Sequence, residues 1–218
     1  MSVRLSARDG YTIERVDGRL ELRASDGGAG MHLKLDDVRR RVRQGRKLAL
    51  AKACGVRSGL RVLDGMAGFG LDGITLATLG CRVLMVERDP LLYALLGDAI
   101  ERAGATIDMA GTIECREGDI RDVLATNDSF DTIYLDPMFP VTDKTALPRK
   151  SAQILADLVG APDDDLIDVV RRATPRARMR VVVKRRRHDA ELFAPDWRIL
   201  GRSVRFDVYR GTAPTESG

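Results

Sequence analysis

Short apolar runs recur along the middle of this chain, and several close on an acid. Leu60, Val62 and Leu63 ahead of Asp64 read as a buried strand, and comparable runs return at Arg82–Glu87, Thr112–Arg116 and Asp131–Asp136. Helix-forming stretches separate them, from Ile74 to Leu79 and from Pro90 to Ala103. Strands and helices in alternation predict a parallel sheet with right-handed crossovers. Further helices are expected at Ser151–Val159 and at Asp164–Ala173, the second with Pro162 just ahead of an acidic first turn. The β-branched run Met179–Lys184 predicts a central strand. Trp197–Leu200 and Val204–Tyr209, separated by Gly201-Arg202-Ser203, predict a closing antiparallel hairpin.

The first fifty residues follow another pattern. Tyr11–Arg23 alternates around Asp17-Gly18, a dipeptide that favours a tight turn, so a small β-hairpin is expected. Ser25–Gly30 reads as a connector, Met31–Leu35 as one more short strand, and Asp36 as a helix cap. Asp37–Cys54 is helix-forming with a break at Gln44-Gly45, and Gly55 is a helix stop. The expected organisation is an N-terminal extension over 1–54, an α/β domain over 55–212 and a disordered tail over 213–218.

Composition narrows the class. At 218 residues and 44% hydrophobic content the chain can bury one substantial core. No apolar run approaches the roughly 20 residues that cross a bilayer, and MSVRLSARDG lacks the apolar core of a signal peptide, so a cytoplasmic protein is expected. Cys54, Cys81 and Cys115 lie far apart without paired spacing, which argues for buried thiols and against a disulfide framework or a metal site. The net charge of +4 is modest, but basic residues crowd Arg39–Lys47 and Lys184–Arg187. Such clusters suit a polyanion such as nucleic acid, and they equally suit a solvated face.

The chemistry concentrates after Asp64. Gly65, Gly68, Gly70 and Gly73 form a loop whose glycines let a ligand approach the backbone and leave amides free to bind it. Gly68–Gly73 satisfies the G-x-G-x-x-G pattern of dinucleotide sites. In that motif, however, the first glycine directly follows the strand, so that the pyrophosphate meets the helix N-terminus. Here Asp64 stands at the strand tip and would repel a pyrophosphate, whereas it suits the ammonium and sulfonium of S-adenosylmethionine. Glu87, at the end of the next strand, is placed to accept from ribose hydroxyls, with Arg88 flanking the adenosine. Gly118-Asp119 follows the third strand, where the adenine edge would be read. Individually each acid could be a loop residue or a cap; together they mark the carboxyl edge of an open sheet.

Asp136-Pro137-Met138-Phe139 follows the fourth strand at the same edge. It resembles the D/N-P-P-Y/F/W signature of methyltransferases acting on exocyclic amines of bases, with Met138 in place of the second proline. An exocyclic amine is a poor nucleophile because its lone pair is delocalised. The Asp136 carboxylate and the Pro137 carbonyl can take its two hydrogens and favour a pyramidal nitrogen, while Phe139 stacks on the base.

Beyond these motifs, the parallel sheet ending in an antiparallel hairpin resembles the class I methyltransferase fold, a Rossmann-like α/β architecture. VLDGMAGFGLDG, GCRVLMVERDP, YLDPMFP with KTALPRK, QILADLVG, RVVVKRRR and RFDVYRGTAP together are similar to the ribosomal small subunit methyltransferase J family over Asp36–Pro214. That resemblance implies transfer of a methyl group from S-adenosylmethionine to N2 of a guanine in small-subunit (16S) ribosomal RNA. By motif it places the cofactor on Leu71 and Asp72, Glu87 and Arg88, Gly118 and Asp119, and Asp136. It also implies that Arg39–Lys47, Lys144–Lys150 and Lys184–Arg187 meet RNA phosphates, in ribosomal RNA or the small subunit. The same chemistry on adenine N6 of DNA or a protein amide, and a non-catalytic RNA-binding scaffold, are the competing readings.

Overall fold

The computed structural model of the chain describes residues 4–8, 10–24, 30–137 and 166–214. Its N-terminal part is a three-stranded antiparallel sheet of β1 (Arg4–Arg8), β2 (Tyr11–Val16) and β3 (Arg19–Ala24). Asp17 and Gly18 both take positive φ, 48° and 79°, as a tight hairpin between β2 and β3 requires. The expected strand at Met31–Leu35 reduces to a single antiparallel bridge between Met31 and Leu22, because Leu35 already begins a helix. The three-stranded sheet is anchored by Ile13, Leu20 and Leu22, which pack on Leu91, Leu92 and Leu95.

The segment expected to be an interrupted helix is two short ones, α1 (Leu35–Val42) and α2 (Ala49–Cys54), with a 3-10 turn at Gly45–Lys47 between them. Asp36 is not the cap: Lys34 holds that position, and Asp36 pairs with Arg39 inside the first turn. Gly55 ends α2 in the left-handed conformation, φ 67°, as expected.

Strands and helices then alternate: β4 (Arg61–Asp64), α3 (Leu71–Thr78), β5 (Arg82–Glu87), α4 (Pro90–Thr106), β6 (Thr112–Glu117), α5 (Ile120–Ala125) and β7 (Phe130–Leu135). After them come α6 (Leu166–Ala173), β8 (Ala177–Arg186), β9 (Trp197–Leu200) and β10 (Val204–Arg210). Helix α3 starts three residues before Ile74, which puts Asp72 and Gly73 inside its first turn. Helix α5 was not anticipated from the sequence. The seven-stranded sheet runs in the order β6-β5-β4-β7-β8-β10-β9, with β10 antiparallel to both neighbours and the remaining pairs parallel. This is the expected Rossmann-like methyltransferase topology with its C-terminal hairpin.

Alternation along the strands sorts their side chains onto two faces. Val62, Tyr134 and Val182 point into a core closed by Val38, Leu50, Ile74, Leu76 and Leu96 of α1 to α4. Leu63, Ile133, Leu135, Val181 and Val183 point the other way, against Ile120 and Val123 of α5 and Val169 and Val170 of α6. Residues from Leu33 to Cys54 therefore share the main core with the sheet. Ala213, expected to begin a disordered tail, is buried, and its amide donates to the Ala177 carbonyl at 3.0 Å.

Candidate functional site

The site grows out of the strand register. Strands β4, β7 and β8 lie side by side, with Asp64 opposite Tyr134 and Leu135 opposite Val183. Two residues beyond Val62, Tyr134 and Val182, the period-2 alternation brings Asp64, Asp136 and Lys184 to the carboxyl edge on the face that α1 and α3 cover. These three side chains, with Asp72 and the loop at Ala67 and Gly68, line a cavity of about 430 Å³. The segment ahead of and into α1 also lines it, through Met31, His32, Lys34 and Asp37.

Charge in this cavity is tightly organised. Lys184 Nζ donates to Asp136 Oδ2 at 2.6 Å and to Asp72 Oδ2 at 2.9 Å. Asp72 also accepts from the Tyr134 hydroxyl at 2.6 Å and is paired with Arg41 on its other oxygen. Burial raises the Asp72 pKa, but the cations Lys184 and Arg41 overcome it and hold the carboxyl well below its usual range. Burial pushes Asp136 up to about 6, against the pull of the Lys184 ammonium, with the Asp72 charge adding to the rise. Lys184 itself is held charged: burial opposes this, and the two carboxylates outweigh it.

Asp64 is different. It is 1% exposed, and its Oδ1 has no hydrogen-bond partner among the described residues. Burial, then the neighbouring charges of Asp72 and Asp136, push its carboxyl well above the usual range. A buried carboxylate that lines a cavity, with one oxygen unpartnered among the described residues, is the complement of a cationic ligand. Gly73 makes this possible, since a Cβ there would lie 2.7 Å from Asp64 Oδ2.

The glycine loop does not leave its amides free, contrary to the sequence expectation. The amides of Gly65, Ala67, Gly68 and Gly70 donate to the Tyr134 carbonyl, the Val86 carbonyl, Glu87 Oε2 and the Ala67 carbonyl, at 2.7 to 3.0 Å. Those amides are committed to holding the loop. A pyrophosphate would find few donors there, which disfavours a dinucleotide and agrees with the charge of Asp64.

One strand further along the same edge stand the other expected cofactor residues. Glu87 is buried, and its two oxygens accept from the amides of Gly68 at 2.7 Å and Asp89 at 2.8 Å. Arg88 is exposed beside it. Gly118 binds the Glu87 carbonyl through its amide, and a Cβ on it would meet nothing within 4 Å. Asp119 caps α5, accepting from the Arg121 amide at 2.8 Å and pairing with the Arg121 guanidinium, which lowers its pKa.

Comparison with known proteins decides the family. The profile of the SAM-dependent methyltransferase family matches residues 5–211. A ribosomal RNA small subunit methyltransferase J of Thioalkalivibrio sulfidiphilus is 42% identical over 170 residues, covering 73% of this chain and 66% of that one. Its counterpart in Alkalilimnicola ehrlichii is 39% identical over 211 residues, covering 89% and 80%. The chain belongs to the ribosomal RNA small subunit methyltransferase J family. A crystallised SAM-dependent methyltransferase of Neisseria gonorrhoeae matches with 28% identity and a TM-score of 0.74, covering 98% of this chain and 88% of that chain.

In this member of the methyltransferase J family the structure brings Asp64, Leu71, Asp72 and Asp136 to one cavity. Pro137 is buried next to Asp136, whereas Met138, Phe139 and Lys144–Lys150 lie outside the described residues. Two members of the basic clusters need correction. Lys184 is not a solvated phosphate contact but a bridge between two acids of the site, and Arg41 turns inward to Asp72. Sequence reasoning missed both roles, along with the Tyr134 hydroxyl and the wall at Met31–Asp37. For Lys184 the signal was present: it follows the apolar run Val181–Val183 directly, as Asp64 and Glu87 follow theirs.

Proposed function

We propose that this methyltransferase modifies the exocyclic N2 amine of a guanine in 16S ribosomal RNA. The observation that carries this reading is the meeting, in one cavity, of Asp64, whose buried Oδ1 has no partner among the described residues, with Asp136 at the next strand tip, just ahead of Pro137. Asp64, Leu71 and Asp72 would hold the S-adenosylmethionine amino acid end, and Glu87, Arg88, Gly118 and Asp119 would flank its adenosine. Ionised on binding, Asp64 fits that ligand, because Asp72 and Asp136 already have Lys184 and Arg41 as counter-ions.

When bound, S-adenosylmethionine supplies a methyl group on a sulfonium, which becomes a neutral thioether as the nitrogen lone pair takes the methyl. The chain's own groups prepare that nitrogen. The Asp136 carboxylate and the Pro137 carbonyl accept its two hydrogens and favour a pyramidal, nucleophilic geometry. Phe139 stacks on the base and sets the line of attack. The methylated amine is acidic, so its surplus proton leaves without a dedicated base.

The relatives' names point to ribosomal RNA, and the surface agrees. Arg43, Arg46 and Lys47 after α1 are exposed, and Arg187 and Arg202 are exposed at the β8 and β10 ends. A Cβ on Gly201 would lie 3.8 Å from Ala49, so the turn carrying Arg202 abuts the start of α2 and the two basic groups are neighbours. They would meet phosphates and position the RNA without reading its sequence. The test is incubation with labelled S-adenosylmethionine and small subunits or naked RNA from a strain lacking this gene. The expected product is N2-methylguanine at one position of 16S RNA; label in DNA or protein would reject the assignment.

A further inference from the structure

Four aspartates line the cavity, and one ammonium is inserted between two of them, Asp72 and Asp136. Lys184 reaches its place by strand geometry, one residue beyond the Leu135–Val183 pair of neighbouring parallel strands. Two of its three N–H groups are committed, to Asp136 Oδ2 and Asp72 Oδ2, and it lines the cavity itself. Asp72 is fixed in turn, because Tyr134 and Arg41 hold it from β7 and α1. A purely structural solution at this position would be apolar, since a buried ion pair adds little net stability over well-packed hydrophobic residues.

We infer that Lys184 is a positioning residue for methyl transfer: braced on Asp72, it clamps the Asp136 carboxylate at the tip of β7 and leaves its other lone pairs to the target amine. This rests on the proposed role of Asp136. Without Lys184, Asp136 would face Asp72 unshielded and would rotate away or take up a proton. The charged and titratable groups around it are Asp64 on β4, Asp72 on α3, Tyr134 on β7, Lys184 on β8, Arg41 and Asp37 on α1, and His32 and Lys34 just ahead of α1.

The test measures single-turnover methyl transfer to unmodified small subunits between pH 5.5 and 9, with S-adenosylmethionine affinity read by calorimetry. Lys184→Met is expected to lower transfer at pH 7 by about 30-fold or more while the cofactor Kd moves less than about threefold. Its acid limb, near 6 in the wild type through Asp136, is expected to move to higher pH, because the ammonium that favours the charged form is gone. Lys184→Arg keeps the charge and should keep the limb in place with part of the rate. A loss of fold alone would not shift the limb. If Lys184→Met fails to fold, Lys184→Gln stands in, with the same upward shift expected. Wild-type transfer with an unmoved limb in either neutral variant overturns the inference. Asp136→Asn separates the two readings. If it is inactive while Lys184→Met is silent, only the role of Lys184 falls; if it transfers normally, the role of Asp136 falls first.

Discussion

Two pairs of acids share one edge of the sheet and live in opposite surroundings. At the ends of β5 and β6, Glu87 and Asp119 are satisfied by their own chain: Glu87 ties down the amides of Gly68 and Asp89, and Asp119 caps α5. At the ends of β4 and β7, Asp64 has an oxygen with no partner among the described residues and Asp136 depends on a lysine from a third strand. An acid at a strand end is thus not by itself a sign of chemistry. What separates the two pairs is how the charge is compensated: backbone amides make a staple, whereas an unshared oxygen or a shared ammonium leaves a group ready to bind or react.

The sharpest break of that comparison is Asp136→Ala. Removing the proposed amine acceptor is expected to cut methyl transfer by about a thousandfold or more in single-turnover assays, with cofactor binding little changed. Next comes Asp64→Ala, expected to raise the S-adenosylmethionine Kd by about 10- to 100-fold in calorimetry, because a buried charge pair is lost. Titration of the wild type tests both acids. As pH falls through about 6, Asp136 takes a proton and kcat/KM should drop about tenfold per unit. The raised pKa of Asp64 implies that cofactor binding expels its proton, so affinity should strengthen as pH rises and calorimetric heats should depend on the buffer.

The staple side should respond less. Glu87→Gln keeps an acceptor but loses the charge and one carboxylate contact, and a rise in Kd of about three- to tenfold is expected. Asp119→Ala is expected to lower unfolding stability by about 1 kcal/mol, the usual worth of a helix cap, and to move the Kd by less than about threefold. If Asp119→Ala weakened the cofactor as much as Asp64→Ala, the distinction between staple and reactive acid would collapse.

Much of this arrangement was legible beforehand. Apolar, β-branched and alternating runs located the neighbourhoods of nine of the ten strands among the described residues, and Asp64, Glu87 and Asp136 stood out as polar ends of apolar runs. The strand β1, outside any alternating run that sequence reasoning singled out, was missed. Helix α5 was missed because its six residues, Ile120–Ala125, are too few to show a helical period. In sequence Asp119 suits an adenine reader as well as a cap, and its bond to the Arg121 amide shows the cap. Arg41 and Lys184 look in sequence like surface residues among basic neighbours, since a charge run does not reveal which member turns inward.

The amino-acid sequence by itself determined the alternation of strands and helices, the acids at the strand tips and the Asp136-Pro137 pair, because local periodicity and turn chemistry are properties of consecutive residues. Only the tertiary structure decided which charges compensate one another. That depends on strand order and register: β8 lies beside β7, so Lys184 comes between Asp136 and Asp72, while β4 on the other side brings Asp64 to the cavity with an oxygen unmatched among the described residues. Electrostatic partnership is set by distance in space across elements far apart in the chain, and no spacing along the sequence encodes it.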